Sequence, residues 1–286
     1  MLTVLESIKL SAEYLKNKGI QSPRINAELL LAEILNCKRL DLYLSFDKPL
    51  TENEISKYRE WIRRRGKFEP LQYIIGKTEF YGLTFLINKN VLIPRQETEI
   101  LVETILNDYE SNGIQKILDI GTGSGNIAIA LAKFLPNSHI TAVDISTDAI
   151  TVAKKNAQLN SVDKLIQFII LDITKEGSIS QLQSSYDIIV SNPPYIPLNE
   201  YKTLQKEITD YEPIYAVTDK ENGFRFYKII SNLSQKLLNK YGKLYFEVGK
   251  EQAKFVKKIM IENNFKNIKT KKDYLGIERV LTGEKL

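Results

Sequence analysis

The stretch from Lys116 to Ala128 limits the possible folds more than any other. Lys116-Ile117-Leu118-Asp119-Ile120 is a short apolar run, Gly121-Thr122-Gly123-Ser124-Gly125 is a glycine loop, and Asn126-Ile127-Ala128 opens a helical pattern. Glycine lets the backbone turn tightly and lets a ligand come close, and a helix start leaves N–H groups without intrahelical partners. The alternation continues downstream. Strands are expected at Gln115–Ile120, His139–Asp144, Ile166–Leu171 and Asp187–Ser191, with helices near Ser124–Leu135 and Thr147–Leu159 between them. Apolar runs and helical patterns at this spacing give a parallel sheet joined by right-handed crossovers.

Beyond Tyr195, about thirty residues show no clear period. Aperiodic runs of that length are usually functional lids or disordered, and a lid is expected here. A helix near Gly223–Asn239, a strand at Lys243–Val248 and a helix near Gln252–Asn263 follow. The last two strands, near Asn267–Lys272 and Glu278–Thr282, are so close that they must form an antiparallel hairpin ending the sheet.

The upstream third differs. Leu5, Ile8, Ala12 and Leu15 recur at helical spacing, and Gly19 marks a stop. Ser22-Pro23 reads as an N-cap and first-turn proline, and Thr51-Glu52-Asn53-Glu54 as a capping box. The second of these helices ends in Arg63-Arg64-Arg65-Gly66-Lys67, where cations suit the dipole and Gly66 suits the stop. Glu79–Ile87 reads as a hairpin turning near Gly82, and Val91-Leu92-Ile93-Pro94-Arg95 as a strand stopped by proline. A helix opens at Gln96-Glu97-Thr98-Glu99 and ends near Asn112-Gly113. The expected organisation is a helical domain at 1–68, a β-hairpin connector at 69–95 and an α/β domain at 96–286.

Composition removes several classes. One cysteine, Cys37, permits no internal disulfide and fits a reducing, cytoplasmic setting. One histidine, His139, with one cysteine makes no usual zinc site, and no catalytic metal is expected. A net charge of +5 among 286 residues is too weak to argue nucleic-acid binding. No apolar run reaches the length of a membrane span, and Met1-Leu2-Thr3-Val4-Leu5-Glu6 lacks the pattern of a signal peptide.

The glycine loop is not a dinucleotide fingerprint, because Asn126 stands where glycine is needed, and no Gly-Lys-Ser/Thr follows to make a P-loop. Asp144 ends the next strand, placed to accept two ribose hydroxyls. Asp172 ends the one after, able to accept from an adenine amino group while Ile173 packs on the ring. No phosphate-binding residue is evident. A nucleoside carrying an amino acid fits these pieces, and S-adenosyl-L-methionine is such a molecule.

A second motif sits at the end of Tyr186-Asp187-Ile188-Ile189-Val190. In Asn192-Pro193-Pro194-Tyr195 two prolines stiffen the exit from the sheet and bias Asn192 to extended geometry. One fixed amide and one aromatic ring can grip a small planar polar group.

Asp119-Ile120-Gly121-Thr122-Gly123-Ser124-Gly125 resembles motif I of class I methyltransferases, and Asn192-Pro193-Pro194-Tyr195 resembles the acceptor motif of enzymes that methylate amide or exocyclic amino nitrogens. Pro70-Leu71-Gln72-Tyr73-Ile74-Ile75-Gly76, Glu79-Phe80-Tyr81-Gly82-Leu83 and Val91–Glu99 are similar to the PrmC/HemK family, the protein-(glutamine-N5) methyltransferases of peptide chain release factors. Tyr211-Glu212-Pro213, Gly223-Phe224-Arg225-Phe226-Tyr227 and Glu247-Val248-Gly249 extend the resemblance over nearly the whole chain. Gln96, where that family has proline, and Ile173, at a site often aromatic, depart from it.

The resemblance implies a Rossmann-like, mostly parallel seven-stranded sheet with an antiparallel C-terminal hairpin, behind a small helical substrate-recognition domain. It implies methyl transfer from S-adenosyl-L-methionine, leaving S-adenosyl-L-homocysteine, to the glutamine of a release factor's Gly-Gly-Gln motif. Gly121, Thr122, Gly123, Ser124, Gly125, Asp144, Asp172, Ile173 and Asn192 are the expected cofactor residues. Asn192, Pro193 and Tyr195, with Pro194, are the expected catalytic and acceptor-binding residues. An adenine-N6 nucleic-acid methyltransferase uses the same acceptor motif on a flipped base, but the only dense basic cluster is Arg63–Lys67, and no direct nucleic-acid substrate is expected. A non-catalytic adaptor is disfavoured by intact Asp144, Asn192 and Tyr195.

Overall fold

The computed structural model describes residues 2–109, 115–182 and 185–286. The helix end expected near Asn112 and Gly113 lies outside them. The chain divides into two units, Met1–Lys77 with Gln205–Tyr211, and Thr78–Leu204 with Glu212–Leu286.

The first unit holds α1 (Val4–Asn17), α2 (Pro23–Ile34), α3 (Glu52–Arg65) and α4 (Leu71–Ile75). Thr51 forms the expected capping box, its N–H donating to Glu54 Oε2 at 2.7 Å and its hydroxyl accepting from the Glu54 N–H at 3.3 Å. Thr3 does the same with Glu6, which the sequence reading missed. Ser22 precedes α2 as expected but does not cap it with its side chain. Its φ of 48° is left-handed, and no side-chain cap bond forms. Gly66 ends α3 as its C-cap, as expected, and has a second role. Its φ is −64°, and a Cβ there would sit 2.7 Å from the Tyr14 ring, so it permits close approach of α1 and α3.

Two of the four cations in the basic cluster, Arg64 and Arg65, form ion pairs. Arg64 grips Glu69 with two bonds of 2.9 and 2.6 Å. Arg65 is buried and donates to Asn26 and to Glu207, the latter on the helical segment that rejoins this unit. Arg63 is exposed. Val4, Ile8, Leu15, Leu30, Leu31, Trp61 and Ile62 form the core.

The second unit opens with a hairpin of β1 (Lys77–Phe80, its first residue still in the first unit) and β2 (Leu83–Leu86). Tyr81 and Gly82 have φ of 50° and 71°, the left-handed pair a two-residue turn requires. Val91–Arg95 is not the expected strand. It pairs with no named strand, because Pro94 removes a donor and Val91 and Ile93 turn into the core instead.

The remaining elements are α5 (Gln96–Asp108), β3 (Lys116–Ile120), α6 (Asn126–Phe134), β4 (His139–Asp144), α7 (Thr147–Leu159), β5 (Ile166–Ile170), β6 (Tyr186–Ser191), α8 (Leu198–Tyr201), α9 (Lys206–Tyr211), α10 (Ile214–Val217), α11 (Arg225–Leu237), β7 (Leu238–Glu247), α12 (Ala253–Glu262), β8 (Lys266–Lys272) and β9 (Glu278–Glu284). The expected aperiodic lid thus contains three short helices, each too brief for a period to register. The seven-stranded sheet runs β5-β4-β3-β6-β7-β9-β8, parallel from β5 to β7. The closing hairpin is antiparallel, as expected, and β9 is inserted between β7 and β8.

This order decides where a ligand can go. Ile120 pairs with Val143 on one side and with Ser191 on the other, so β3, β4 and β6 end in register. Gly121, Asp144 and Asn192 therefore leave the sheet side by side. The connections diverge at β3, which makes this the topological switch point where open α/β sheets bind ligands. Beneath it, Leu118, Ile120, Ile189, Tyr227, Leu244 and Phe246 form a buried, largely apolar base.

Candidate active site

A cavity of about 290 Å³ opens at the carboxyl ends of β3, β4 and β6. Gly121, Gly123, Asp144, Asp172, Ile173, Asn192, Pro193 and Pro194 all line it. Gly121 and Gly123 have φ of 78° and 54°, and nothing lies within 4 Å of a Cβ built on either. Backbone is thereby bared to the cavity, as close approach of a ligand demands.

The Asp144 carboxylate is fixed from behind. Oδ2 accepts the Gly123 N–H and Oδ1 the Ser146 N–H, each at 2.9 Å. Burial raises its pKa above the ordinary 3.8, against those same amides, which lower it. Asp172 lies two residues beyond β5 and accepts from both the N–H and the hydroxyl of Thr174. The Thr174 hydroxyl lowers its pKa. The apolar walls are Val143, Ile145, Leu171, Ile173, Phe226 and Ile230.

Four expected residues are placed elsewhere. Thr122 is buried, and its hydroxyl donates to Asp119 Oδ2 at 2.7 Å. Ser124 is buried and its carbonyl accepts from Asn156 Nδ2 at 2.9 Å. Gly125, with φ of 83°, lets α6 approach α7: a Cβ there would meet Ile129 Cδ1 at 2.9 Å and Ala153 Cβ at 3.1 Å. Gly125→Ala is therefore expected to destabilise the chain by about 2 kcal/mol or more. Denaturant unfolding measures this, and an unchanged midpoint would refute the packing role. Tyr195 does not line the cavity. Its ring packs against the core, and its hydroxyl donates to Glu247 Oε1 at 3.3 Å.

The Asn192 loop is held from several directions. The Ser191 hydroxyl donates to the Ile120 carbonyl at 2.7 Å, tying β6 to β3. The Tyr195 carbonyl accepts from Gln252 Nε2 at 2.9 Å, and a Cβ on Gly223 would come within 2.5 Å of it. Asn192 Nδ2 donates to Thr98 Oγ1 at 3.1 Å, and Thr98 Oγ1 donates to Glu247 Oε2 at 2.6 Å. Tyr215 and Asn90 line the cavity, and the Tyr215 hydroxyl donates to the Asn90 carbonyl at 3.2 Å; elsewhere Arg95 pairs with the buried Glu212 at 2.6 Å. Ile196 N–H donates to the Val217 carbonyl at 3.1 Å, bringing together the two ends of the segment that follows Tyr195.

A family model described as PrmC N-terminal domain matches residues 6–76, and one described as methyltransferase domain matches residues 112–282. A release factor glutamine methyltransferase of Fusobacterium nucleatum is 42% identical over 282 residues, 98% of this chain and 78% of that one. Another, from Chlorobaculum tepidum, is 38% identical over 285 residues, 98% of this chain and 96% of its own. The chain belongs to the release factor glutamine methyltransferase family. The crystal structure of a methyltransferase from Pyrococcus furiosus has the same fold, with a TM-score of 0.53 at 19% identity, over 72% of this chain and 90% of that one.

The methyltransferase uses S-adenosylmethionine as methyl donor, and the cavity fits it. Three aspartates, Asp144, Asp172 and Asp219, line it with Lys220 and Arg225 in a wall that is otherwise mostly apolar, beside a glycine backbone with open space where side chains would be. That pattern suits a flat ring, hydroxyls and a cationic amino-acid tail together. Among the described residues, no cluster of three or more His, Cys, Asp or Glu side chains is placed to hold a metal, and no helix is long and apolar enough to cross a membrane.

Sequence reasoning passed over Thr98 and Glu247, although both fall in stretches it quoted. One signal was there to read: Leu244-Tyr245-Phe246-Glu247 ends a wholly apolar run with a carboxylate. Thr98 and Glu247 are each 1% exposed. Burial pushes Glu247 up to about 7 from 4.5, against the Thr98 hydrogen bond and Arg279. Burial likewise pushes Asp119 up to about 7 from 3.8, against its bond from Thr122.

Both carboxyls therefore hold their protons more tightly in the folded chain than in the unfolded one. Their contribution to stability is full below about pH 4 and is lost as pH rises through about 7. The midpoint of thermal unfolding is expected to fall between about pH 5 and pH 8, and Glu247→Gln to flatten part of that slope. A slope unchanged in the variant would show that Glu247 is not responsible.

Proposed function

We infer that this protein transfers the methyl group of S-adenosylmethionine to the side-chain amide nitrogen, N5, of the glutamine in the Gly-Gly-Gln motif of peptide chain release factors. One observation carries the reading at the level of geometry. Asn192-Pro193-Pro194 emerges from β6 in register with Gly121 and Asp144, so an amide-gripping loop and a cofactor cavity share one wall.

S-adenosylmethionine supplies a methyl group activated by the positive charge on sulfur. Gly121 and Gly123 would offer bared backbone to it, Asp144 would accept from its ribose hydroxyls, and Asp172 with Ile173 would hold the adenine. A carboxamide nitrogen is a poor nucleophile, because its lone pair is delocalised into the carbonyl. Asn192 Oδ1 and the Pro193 carbonyl each accept one of its hydrogens. Those bonds orient the nitrogen and favour the tetrahedral form that develops in the transition state. Positive charge growing on nitrogen then faces oxygen atoms, an interaction that strengthens as the reaction proceeds. The proton leaves after transfer, and no covalent enzyme intermediate is needed. Tyr195, packed under the loop, acts by holding it.

The reading extends to residues 1–68 as the substrate-recognition domain, to a cytoplasmic setting, supported by a single half-buried cysteine, and to no direct nucleic-acid substrate. Incubating the protein with methyl-labelled S-adenosylmethionine and a release factor should label the Gly-Gly-Gln glutamine, read by mass spectrometry of the tryptic peptide. Label on DNA or RNA, with none on the release factor, would overturn the assignment.

A further inference from the structure

We propose that Thr98 and Glu247 are positioning residues for methyl transfer: through the Thr98 hydroxyl, the Glu247 carboxylate holds the Asn192 amide with its oxygen presented to the acceptor nitrogen. The proposal rests on the substrate reading above for what that oxygen receives.

An asparagine side chain has two similar rotational states that exchange Oδ1 and Nδ2. Only one puts an acceptor toward an incoming amide hydrogen; the other presents N–H to N–H. Nothing within the Asn192-Pro193-Pro194 loop selects between them. The buried chain beneath it does. A hydroxyl has one proton. The Thr98 proton goes to Glu247 Oε2 at 2.6 Å, the shortest link in the chain of bonds beneath the loop. What Thr98 Oγ1 turns toward Asn192 is therefore a lone pair, and it accepts the Nδ2 N–H at 3.1 Å. With Nδ2 anchored inward, Oδ1 is the edge left for the cavity that Asn192 lines.

The anchor is rigid at each link. Thr98 lies in the first turn of α5, and Glu247 is the last residue of β7, whose partner β6 leads directly into Asn192. The other carboxylate oxygen receives the Tyr195 hydroxyl at 3.3 Å, so one side chain steadies both ends of the motif. The main-chain oxygen of Glu247 accepts from Tyr227 at 2.9 Å. A buried carboxylate without such a task is costly, and an apolar residue would serve the core of β7 better.

Thr98→Val keeps the side chain's shape and removes its hydroxyl. With the full-length enzyme and a release factor, kcat is expected to fall about 10- to 100-fold, as for other losses of reactant alignment. KM for the release factor and affinity for S-adenosylmethionine stay unchanged, while the unfolding midpoint falls because the buried Glu247 loses a hydrogen bond. Thr98→Ser, which restores the hydroxyl, recovers turnover. In the Asn192→Ala background, Thr98→Val has no further effect, because the group it orients is gone. Turnover at the wild-type rate in Thr98→Val, or the same fractional loss when Asn192 is already alanine, overturns the proposal. If the wild type labels a nucleic acid in place of the release factor, the substrate reading fails, and the same variants compared on that acceptor still decide the role of Thr98.

Discussion

Asn192→Ala will lower single-turnover methylation by about 10²- to 10³-fold, the effect of removing one polar group aimed at developing charge. Affinity for S-adenosylmethionine will stay nearly unchanged. The asymmetry follows from placement. Asn192 lines the cavity, but Asp144, Asp172 and the glycine loop make up the part assigned to the cofactor. Its proposed bond to the acceptor amide matters most as the nitrogen becomes tetrahedral, so the loss falls on kcat and not on binding. Folding should survive, because Ser191 still ties β6 to β3 and Gln252 still holds the Tyr195 carbonyl. Equilibrium dialysis with labelled cofactor, beside rapid-quench turnover, measures both quantities. Lost cofactor binding with turnover preserved at saturating cofactor would reverse the assignment.

What was legible in the sequence was local. The strand ends at Asp144 and Ser191 follow from apolar runs closed by a polar residue, and the Tyr81-Gly82 turn from hairpin spacing. Period and punctuation are short-range, so they placed the sheet, its crossovers and the residues at its carboxyl edge. What stayed hidden was of two kinds. Backbone detail was one: Ser22 looks like a capping side chain by residue type, but its backbone is left-handed and its side chain makes no cap hydrogen bond. Long-range pairing was the other. Thr98 and Glu247 lie 149 residues apart, and neither periodicity nor spacing joins them. The distinction between Gly121 and Gly123, which face the cavity, and Thr122, Ser124 and Gly125, which face the protein, likewise depends on how α6 packs on α7. A loop motif is read as one object in sequence, yet in space its alternate residues do different jobs.

Asp144→Ala should do the reverse of Asn192→Ala, weakening S-adenosylmethionine binding by about 100-fold, since hydrogen bonds to a charged group contribute roughly 1.5–3 kcal/mol each. Two effects combine. The acceptors proposed for the ribose hydroxyls are removed, and the amides of Gly123 and Ser146 lose the oxygens that hold the glycine loop and the start of α7 in place. Asp144→Asn separates them. Its amide keeps one acceptor oxygen and the side-chain shape, but offers N–H where the carboxylate offered oxygen. One of the two backbone amides must then face a donor, and intermediate affinity is expected. Turnover at saturating cofactor should remain close to wild type in both variants, because neither touches the Asn192–Thr98–Glu247 chain. Isothermal titration with S-adenosylmethionine and with S-adenosylhomocysteine should show equal losses, as the ribose is common to both. A loss confined to S-adenosylmethionine would instead put Asp144 near the sulfonium, and the ribose assignment would be wrong.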